Sequence, residues 1–324
     1  MADTRRLRSA RRFLRSPSAV AGLTLLGLVG SLGAFAGVIA PGPPFELGFP
    51  NTAPPSRAHP FGTDAFGRDM LVLTTQGIRT TLTVVAAVMA ASLPLGALLG
   101  LTAGYAGGLV DSAVTRVAEL FQAVPRFFMA LAVIAVYGPG VDKLVVLLCL
   151  TSWPFLCRTL RAETLSIKER SFVTAARAAG ARAPHIVARH ILPHVLPRAL
   201  VVVMLMGSRV ILIEAGLAFL GLGDRGDPSL GVLASEAQPY LREAWWLSVF
   251  PGLAIVVLVL GLNLLSDGLS RVLEVETGVR RAARGWSTPG TPGRPASAVP
   301  PPGDQTPGMS PGSPGMESIG PGGH

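Results

Sequence analysis

The sequence is poor in charged residues. Asp, Glu, Lys and Arg make up 15% of its 324 residues, against about 25% in a typical soluble domain. Three long runs hold none of these four residue types, namely Ser16–Phe45, Thr80–Val110 and Ala244–Ser266. About 20 apolar residues in a helix cross a bilayer core of about 30 Å. The composition therefore excludes a soluble enzyme and predicts a membrane protein.

Lysine is nearly absent, and this limits how the chain could use ATP. A phosphate-binding loop needs a lysine that follows glycine and precedes Ser or Thr. The only lysines are Lys143, which precedes Leu144, and Lys168, which precedes Glu169. The chain is therefore not expected to be an ATPase, and any ATP-driven activity requires another polypeptide.

Cysteine and clustered acidic residues are also scarce, which argues against metal and cofactor sites. Cys149 and Cys157 lie in one apolar segment and cannot build a disulfide framework. His185, His190 and His194 cluster, but no Cys, Asp or Glu lies between residues 170 and 213 to complete a metal site. No cofactor and no metal are expected. The net charge of +9 comes without a basic stripe interleaved with aromatics, so nucleic acid is not expected as a partner.

Six apolar segments predict six transmembrane helices. They lie at about 18–40, 81–105, 127–141, 144–157, 199–222 and 244–265. Most of the 28 Lys and Arg residues lie on the side of the N-terminus, in 1–17, 111–126, 158–198 and 267–324. Because basic residues stay in the cytoplasm, both termini are predicted to be cytoplasmic. The fold class is thus an all-α polytopic membrane protein.

The same patterns predict the domain organisation. A basic cytoplasmic N-terminus (1–17) precedes the first helix (18–40) and an extracytoplasmic segment (41–79). A five-helix core (80–275) follows and contains a long cytoplasmic loop (158–198). The last segment, 285–324, is rich in Pro and Gly and is predicted to be a disordered cytoplasmic tail.

The 158–198 loop is long enough to suggest a role of its own. The run Ser171–Ala181 predicts a short helix with Ser171 as its N-cap and Gly180 at its end. An amphipathic stretch, Pro184–Leu192, follows and is expected to stop at Pro193 and Pro197. Spacing alone leaves two interpretations open: a helix pair for the groove of a partner protein, or a solvated connector.

Particular residues of this loop resemble the docking loop of binding-protein-dependent ABC importer permeases. Thr174-Ala175-Ala176, Gly180 and Leu192-Pro193 match the E-A-A-x3-G-x9-I-x-L-P pattern in spacing. Thr174 stands where the family has Glu, and His190 stands where Ile is usual. His190 before Ile191-Leu192-Pro193 resembles the dipeptide, oligopeptide and nickel branch.

Three further motifs support the same resemblance, which covers about residues 12–275. The run His59–Asp69 is similar to the H-x-F-G-T-D-x-x-G-R-D element of C-type dipeptide permeases. Glu214–Gly223 is similar to E-A-x-L-S-F-L-G-L-G, and 250–252 with 263–269 are similar to the sixth helix. Leu230 and Glu274-Val275-Glu276 depart from the family pattern. For Asp64, Arg68 and Asp69 a local charge network and a structural brace are expected.

Two charged residues lie inside the fifth apolar segment. Arg209 and Glu214 are five residues apart, about 140° around a helix, so they are not expected to pair with each other. Ionisable residues at membrane depth are candidates for function. Both are therefore candidates for the translocation path, and Arg209 could meet a solute carboxylate. The alternative is an Arg that bonds to carbonyls or to a partner subunit.

The resemblance implies a type I ABC importer permease fold in the cell membrane. It further implies four kinds of partner: a second permease subunit in a heterodimer, two ATP-binding subunits, an extracytoplasmic solute-binding protein and the lipid bilayer. Thr174, Ala175, Ala176, Gly180, His190, Leu192 and Pro193 would contact an ATPase. The transported solute would be a peptide or a related small solute, with nickel as another candidate. An ion-coupled transporter and a non-transporting scaffold are the alternatives.

Overall fold

A computed structural model describes residues 13–39, 46–223 and 226–284, with side chains up to residue 273. The predicted N-terminal segment lies mostly outside these residues, and the predicted 285–324 tail lies wholly outside them. The described part is mainly helical, and the β-type pairing found in it is an isolated antiparallel bridge between Thr63 and Asp69. The helices are α1 (Pro17–Ala34), α2 (Ala36–Ile39), α3 (Met70–Ala106), α4 (Gly108–Ala123), α5 (Arg126–Tyr137), α6 (Val141–Lys168), α7 (Ser171–Ala178), α8 (Ala183–Ile186), α9 (Leu192–Leu217), α10 (Leu230–Glu236) and α11 (Trp246–Arg284).

Five helical stretches of the described chain are long and apolar enough to cross a membrane. They are Pro17–Ala34, Met70–Ala106, Val141–Lys168, Ala183–Leu222 and Trp246–Leu273. Helices α4 and α5 pass the same test together and are bent by 73°, which makes six spans if the pair forms one. The prediction of an all-α polytopic membrane protein is confirmed.

The bend between α4 and α5 explains why the third apolar segment of the sequence, 127–141, is short. Val124 is extended, with φ −92° and ψ 124°, and precedes Pro125. A proline ring clashes with a helical conformation at the residue before it, so α4 ends there. The apolar segment predicted at 127–141 thus begins with the second helix of this bent pair.

Several helices are longer than their uncharged segments. Helix α3 has 37 residues and begins at Met70, inside the segment predicted to be extracytoplasmic. Helix α6 runs on to Lys168, through the first part of the predicted 158–198 loop. At a rise of 1.5 Å per residue, both helices are longer than the hydrocarbon core of a bilayer is thick. Their ends therefore project beyond the core, where charged residues are favourable.

A row of glycines allows α3 and α6 to pack closely. Gly96, Gly100 and Gly104 repeat every four residues and are buried on one face of α3. A Cβ added to Gly100 would lie 2.7 Å from the carbonyl oxygen of Cys157, and one on Gly96 would lie 2.7 Å from Cβ of Leu156. Small residues at this spacing let membrane helices approach without a hydrophobic driving force between them. We call this row, with the α6 backbone opposite it, the glycine seam.

Proline does not end the helix after the predicted amphipathic stretch. Residues 183–222 form one long helical stretch through Pro193 and Pro197, so the expected stop is wrong. A π-turn at Val187–Ile191 precedes Pro193, and the amide of Leu192 bonds to the carbonyl of Val187, five residues back. The wider turn shifts the bonding register just where proline lacks an N–H, so the helix continues.

The glycine seam generates a stability prediction. Gly100→Ala places a methyl group against the α6 backbone, so the two helices must move apart or shift. We expect a loss of about 1 to 3 kcal/mol, the usual range for overpacking, seen as a lower thermal unfolding temperature of the detergent-solubilised protein.

The matched control is Gly27→Ala in α1, where an added Cβ would meet nothing within 4 Å. It should leave the unfolding temperature unchanged or raise it, because Ala favours helices. Equal effects of the two substitutions would contradict the role of the glycine seam.

Candidate functional site

The segment between α6 and α9 is the first part of the candidate site. It contains α7, a turn at Gly180, α8 and the π-turn, and it runs directly into α9. The structure therefore narrows the predicted 158–198 loop, because 158–168 belong to α6 and 192–198 to α9. We call residues 169–195, which include the first turn of α9, the loop region below.

The turn at Gly180 is the sharpest feature of the loop region. Helix α7 has Ala179 as its C-cap, and Gly180 follows with φ +79°. The amide of Gly180 bonds to the carbonyl of Arg177, and the amide of Ala181 bonds to that of Ala176, which is a Schellman motif. This confirms Gly180 as the helix end.

At the other end of α7, the N-cap prediction is wrong. The N-cap position belongs to Arg170, whose backbone is extended, and Ser171 is the first helical residue. No side-chain cap bond is made there.

One face of the loop region is anchored to the membrane helices. Val173, Ile186 and Ile191 are each fully buried. They belong to an apolar cluster whose other buried members are Leu101, Leu160, Ile167, Val195 and Ala199. The loop region is therefore fastened to the ends of α3 and α6, and it is not a freely solvated connector.

The opposite face of the loop region is open. Of the residues predicted to contact an ATPase, Thr174, Ala175, Gly180 and Pro193 are exposed, while Ala176, His190 and Leu192 are half-buried. Thr174, in the family's Glu position, makes only a 3.4 Å hydroxyl contact with the carbonyl of its own turn, that of Arg170. The exposed residues around them include three arginines, Arg177, Arg182 and Arg189.

The three clustered histidines have structural contacts instead of a shared centre. His194 Nδ1 lies 2.8 Å from the carbonyl oxygen of His190, and the His194 ring stacks on Phe172 at 5.0 Å. The His185 and His190 rings lie edge to face at 5.9 Å. Within the described residues, no group of three His, Cys, Asp or Glu side chains could hold a metal.

The His59–Asp69 motif forms a brace before α3. Arg68 Nε donates to Asp64 Oδ2 at 2.5 Å, and Arg68 Nη2 donates to Glu236 Oε2 at 2.7 Å. Burial by itself would lower the pKa of Arg68, but the hydrogen bonds and charges of Asp64 and Glu236 together raise it. Asp69 caps α3 by accepting from the amide of Leu71 at 2.7 Å.

Aromatic residues complete this brace. The indole N–H of Trp246 donates to the carbonyl of Thr63 at 3.1 Å, and the rings of Phe61 and Phe250 stack at 3.9 Å. Gly62 has φ +74°, and a Cβ on it would meet the Trp246 ring at 2.8 Å, so only glycine fits this turn. The motif thus joins the start of α3 to α10 and α11.

Glu214 and Arg209 lie in different environments. Glu214 is 2% exposed, and its Oε1 accepts from the Ser229 hydroxyl at 2.6 Å. Ser229 in turn caps α10 through the amide of Val232. Glu214 therefore stabilises the start of α10 within the chain.

Arg209 is exposed and lies at a large open cavity of about 750 Å³. Its guanidinium stands over the ring of Phe155 with a distance of 4.6 Å to the ring centroid. The cavity is lined by Gln122, Arg126, Phe155, Arg158, Thr159, Ala162, Met206 and Arg209. The sequence analysis missed Arg126 and Arg158 as site residues. For Arg158 a signal was present, because the residues at positions 155, 158, 159 and 162 have the spacing of one helix face.

These features define a polytopic α-helical membrane protein with an anchored, two-faced loop region between two of its spans. The family model described as "binding-protein-dependent transport system inner membrane component" matches residues 96–277. The chain belongs to this family, the membrane permeases of ABC importers, and is an inner-membrane component of a transport system. The resemblance drawn from the motifs is confirmed.

Curated relatives and a solved structure agree with this. The chain is 35% identical to the dipeptide transport system permease protein DppC of Alkalihalophilus pseudofirmus over 68% of this chain and 73% of that protein. It is 35% identical to a putative peptide transport system permease protein of Brucella suis over 82% of this chain and 90% of that one. It shares the fold of a chain in an inward-facing structure of the MetNI methionine ABC transporter, with TM-score 0.51 and 21% identity over 64% of this chain and 97% of that chain.

The brace generates a second stability prediction. Arg68→Met leaves Asp64, which is 6% exposed, as a buried carboxylate without its main partner. Breaking a buried ion pair from one side typically costs about 3 to 5 kcal/mol. We expect a clear fall in the thermal unfolding temperature of the solubilised protein.

Arg116→Met is the matched control, because the Arg116 side chain is 84% exposed and pairs with Glu119 at 3.4 Å on the surface. Such pairs contribute about 0 to 1 kcal/mol. If Arg68→Met were as mild as this control, the brace would not depend on the ion pair.

Proposed function

We propose that this chain is one permease subunit of an ATP-driven importer that moves peptides delivered by a solute-binding protein. The family description already names a binding-protein-dependent system. The peptide class is supported by the printed names of the relatives, which are dipeptide or peptide permeases. The finer statements, a heterodimer with a second permease and two ATP-binding subunits, belong to this proposal.

The two-faced loop region carries the proposal. Its inner face is fixed by Val173, Ile186 and Ile191 to the ends of α3 and α6, while Thr174, Ala175 and Gly180 remain open. A helix pair with a small-residue outer face suits the groove of a partner protein. We assign this face to an ATP-binding subunit, with Arg177, Arg182 and Arg189 meeting acidic residues at the rim.

The same packing suggests how ATP binding would drive the membrane part. If closure of the ATPase pair displaces the loop region, the apolar cluster around Val173, Ile186 and Ile191 transmits the movement to α3 and α6. Helix α9 follows as well, because the helical stretch 183–222 continues from the loop region into the membrane. Packed interfaces have discrete arrangements, so a small displacement can switch the passage between outward and inward access.

Affinity purification tests the assembly. The tagged chain is isolated from solubilised membranes, co-purifying proteins are identified, and ATP hydrolysis is assayed with and without the solute-binding protein. A second permease and ATP-binding subunits support the proposal. A chain that purifies without them would favour a scaffold, and uptake driven by a proton gradient would favour an ion-coupled transporter.

Gly180 provides the sharper test of the loop region. Nothing lies within 4 Å of a Cβ added there, so a substitution acts through the backbone, which has φ +79°. A β-branched residue is strained in this conformation by about 1 to 2 kcal/mol. We expect Gly180→Val to lower peptide uptake by the reconstituted complex by roughly tenfold, while membrane insertion stays normal.

Gly180→Asn is the matched control, because Asn tolerates the left-handed conformation while still adding a side chain. It should keep most of the uptake. An equal loss in both variants would assign the defect to crowding of the outer face instead of the turn, and normal uptake in Gly180→Val would contradict the coupling role.

A further inference from the structure

The cavity beside Arg209 is built by three separate parts of the fold. Gln122 and Arg126 come from the two sides of the α4–α5 bend, Phe155 and Arg158 from α6, and Arg209 from α9. With a volume of about 750 Å³, the cavity falls in the range of small-molecule sites.

The charge of the cavity is strongly one-sided. Its lining includes three guanidinium groups, those of Arg126, Arg158 and Arg209, and no carboxylate. The arginines interact with neutral groups. Arg126 donates to the carbonyl of Thr151 at 2.8 Å, and Arg158 donates to Gln122.

The guanidinium of Arg209 lies over the ring of Phe155, and its charge faces that of Arg126 at the same cavity. In the part of the chain that the structure describes, no ion pair neutralises any of these three arginines. Two other arginines of the long helices are paired: Arg161 bonds Asp111, and Arg198 lies 3.4 Å from Glu163.

Three unneutralised cations at one cavity favour an anionic occupant. Arg209 lies inside the fifth apolar segment, and Arg126 and Arg158 lie at the edges of segments predicted to be cytoplasmic. Charges at membrane depth are costly and are normally paired or exposed to a water-filled path. Arginine binds carboxylates through two parallel N–H donors. The stacking of Arg209 on Phe155 uses the face of the guanidinium and leaves the in-plane donors available.

We propose that this cavity binds the carboxylate of the transported solute, and specifically the C-terminal carboxylate of a peptide. The peptide class rests on the proposed function. Arg209 and Arg126 hold the carboxylate, the side-chain amide of Gln122 supplies a further donor, and Phe155 and Met206 face the apolar part of the solute.

The position of the cavity favours a solute over a fixed lipid headgroup. Arg209 and Met206 lie on α9, which is continuous with the loop region. Movement of that region would therefore displace one wall of the cavity relative to Phe155 and Arg158 on α6. A site that changes shape with the ATPase cycle can hold a carboxylate in one state and release it in the other.

The test compares a free peptide with its amide in the complete reconstituted transporter. Trialanine and trialanine amide are supplied already bound to the solute-binding protein. If titration shows that this protein does not bind both forms, the most similar peptide that it binds as both acid and amide is used instead. Arg209→Met should lower uptake of the free acid by about tenfold or more and leave uptake of the amide unchanged. Arg209→Lys, which keeps the charge, should restore part of the acid uptake.

The control is Arg116→Met, which removes an arginine of the same bent helix pair outside the cavity and should not alter the acid-to-amide ratio. ATP hydrolysis stimulated by the loaded binding protein should stay normal in Arg209→Met, which shows that the complex assembles. Equal loss of acid and amide uptake, or no loss of either, overturns the carboxylate site.

Vesicles with and without phosphatidylglycerol separate the solute from a lipid. The ratio of acid uptake to amide uptake should be the same in both kinds of vesicle. The proposal is overturned in favour of a lipid headgroup site if Arg209→Met lowers uptake only with the anionic lipid, and lowers it equally for acid and amide. If the wild-type complex transports neither peptide and its ATP hydrolysis does not respond to the loaded binding protein, the proposed function fails, and this inference fails with it.

Discussion

The close approach of α3 and α6 is the constraint on which the rest of the molecule depends. Gly96, Gly100 and Gly104 bring the two backbones together over two turns of helix. Once these helices are fixed, their ends form the platform for Val173, Ile186 and Ile191 of the loop region. The outer face of α6 then presents Phe155 and Arg158 to the cavity. A looser pair would move both sites at once.

In the proposed transporter, this arrangement would let the small loop region pass a movement on to the spans. Helix–helix association in lipid gains little from the hydrophobic effect, so packing geometry has to supply stability. The loop region adds an apolar cluster at the ends of these helices, and its π-turn runs into α9 without a break in the helix. Force on the outer face therefore reaches three spans through direct packing.

Local signals in the sequence predicted the helical class, the spans with long uncharged runs, the turn at Gly180 and the pairing of Asp64 with Arg68. Asp69, predicted to join that charge network, instead bonds His59 and caps α3. Local signals failed where a distant partner or a compensating turn decides the result. Pro193 stops an ordinary helix, but the preceding π-turn supplies the register that proline needs. Glu236, which completes the Arg68 network, lies 168 residues away in sequence, and no local pattern connects them.

The arginines show the same division between local and long-range information. A count of basic residues predicts only membrane orientation, whereas the fold sorts them by partner. Arg161 bonds Asp111 across α6 and α4, and Arg68 bonds Asp64 and Glu236, so these charges hold helices together. Arg126, Arg158 and Arg209 converge from three parts of the chain on one cavity with neutral partners. Because charges at membrane depth need partners or a water-filled path, and the described residues around this cavity supply no carboxylate, the set suits the solute anion proposed above.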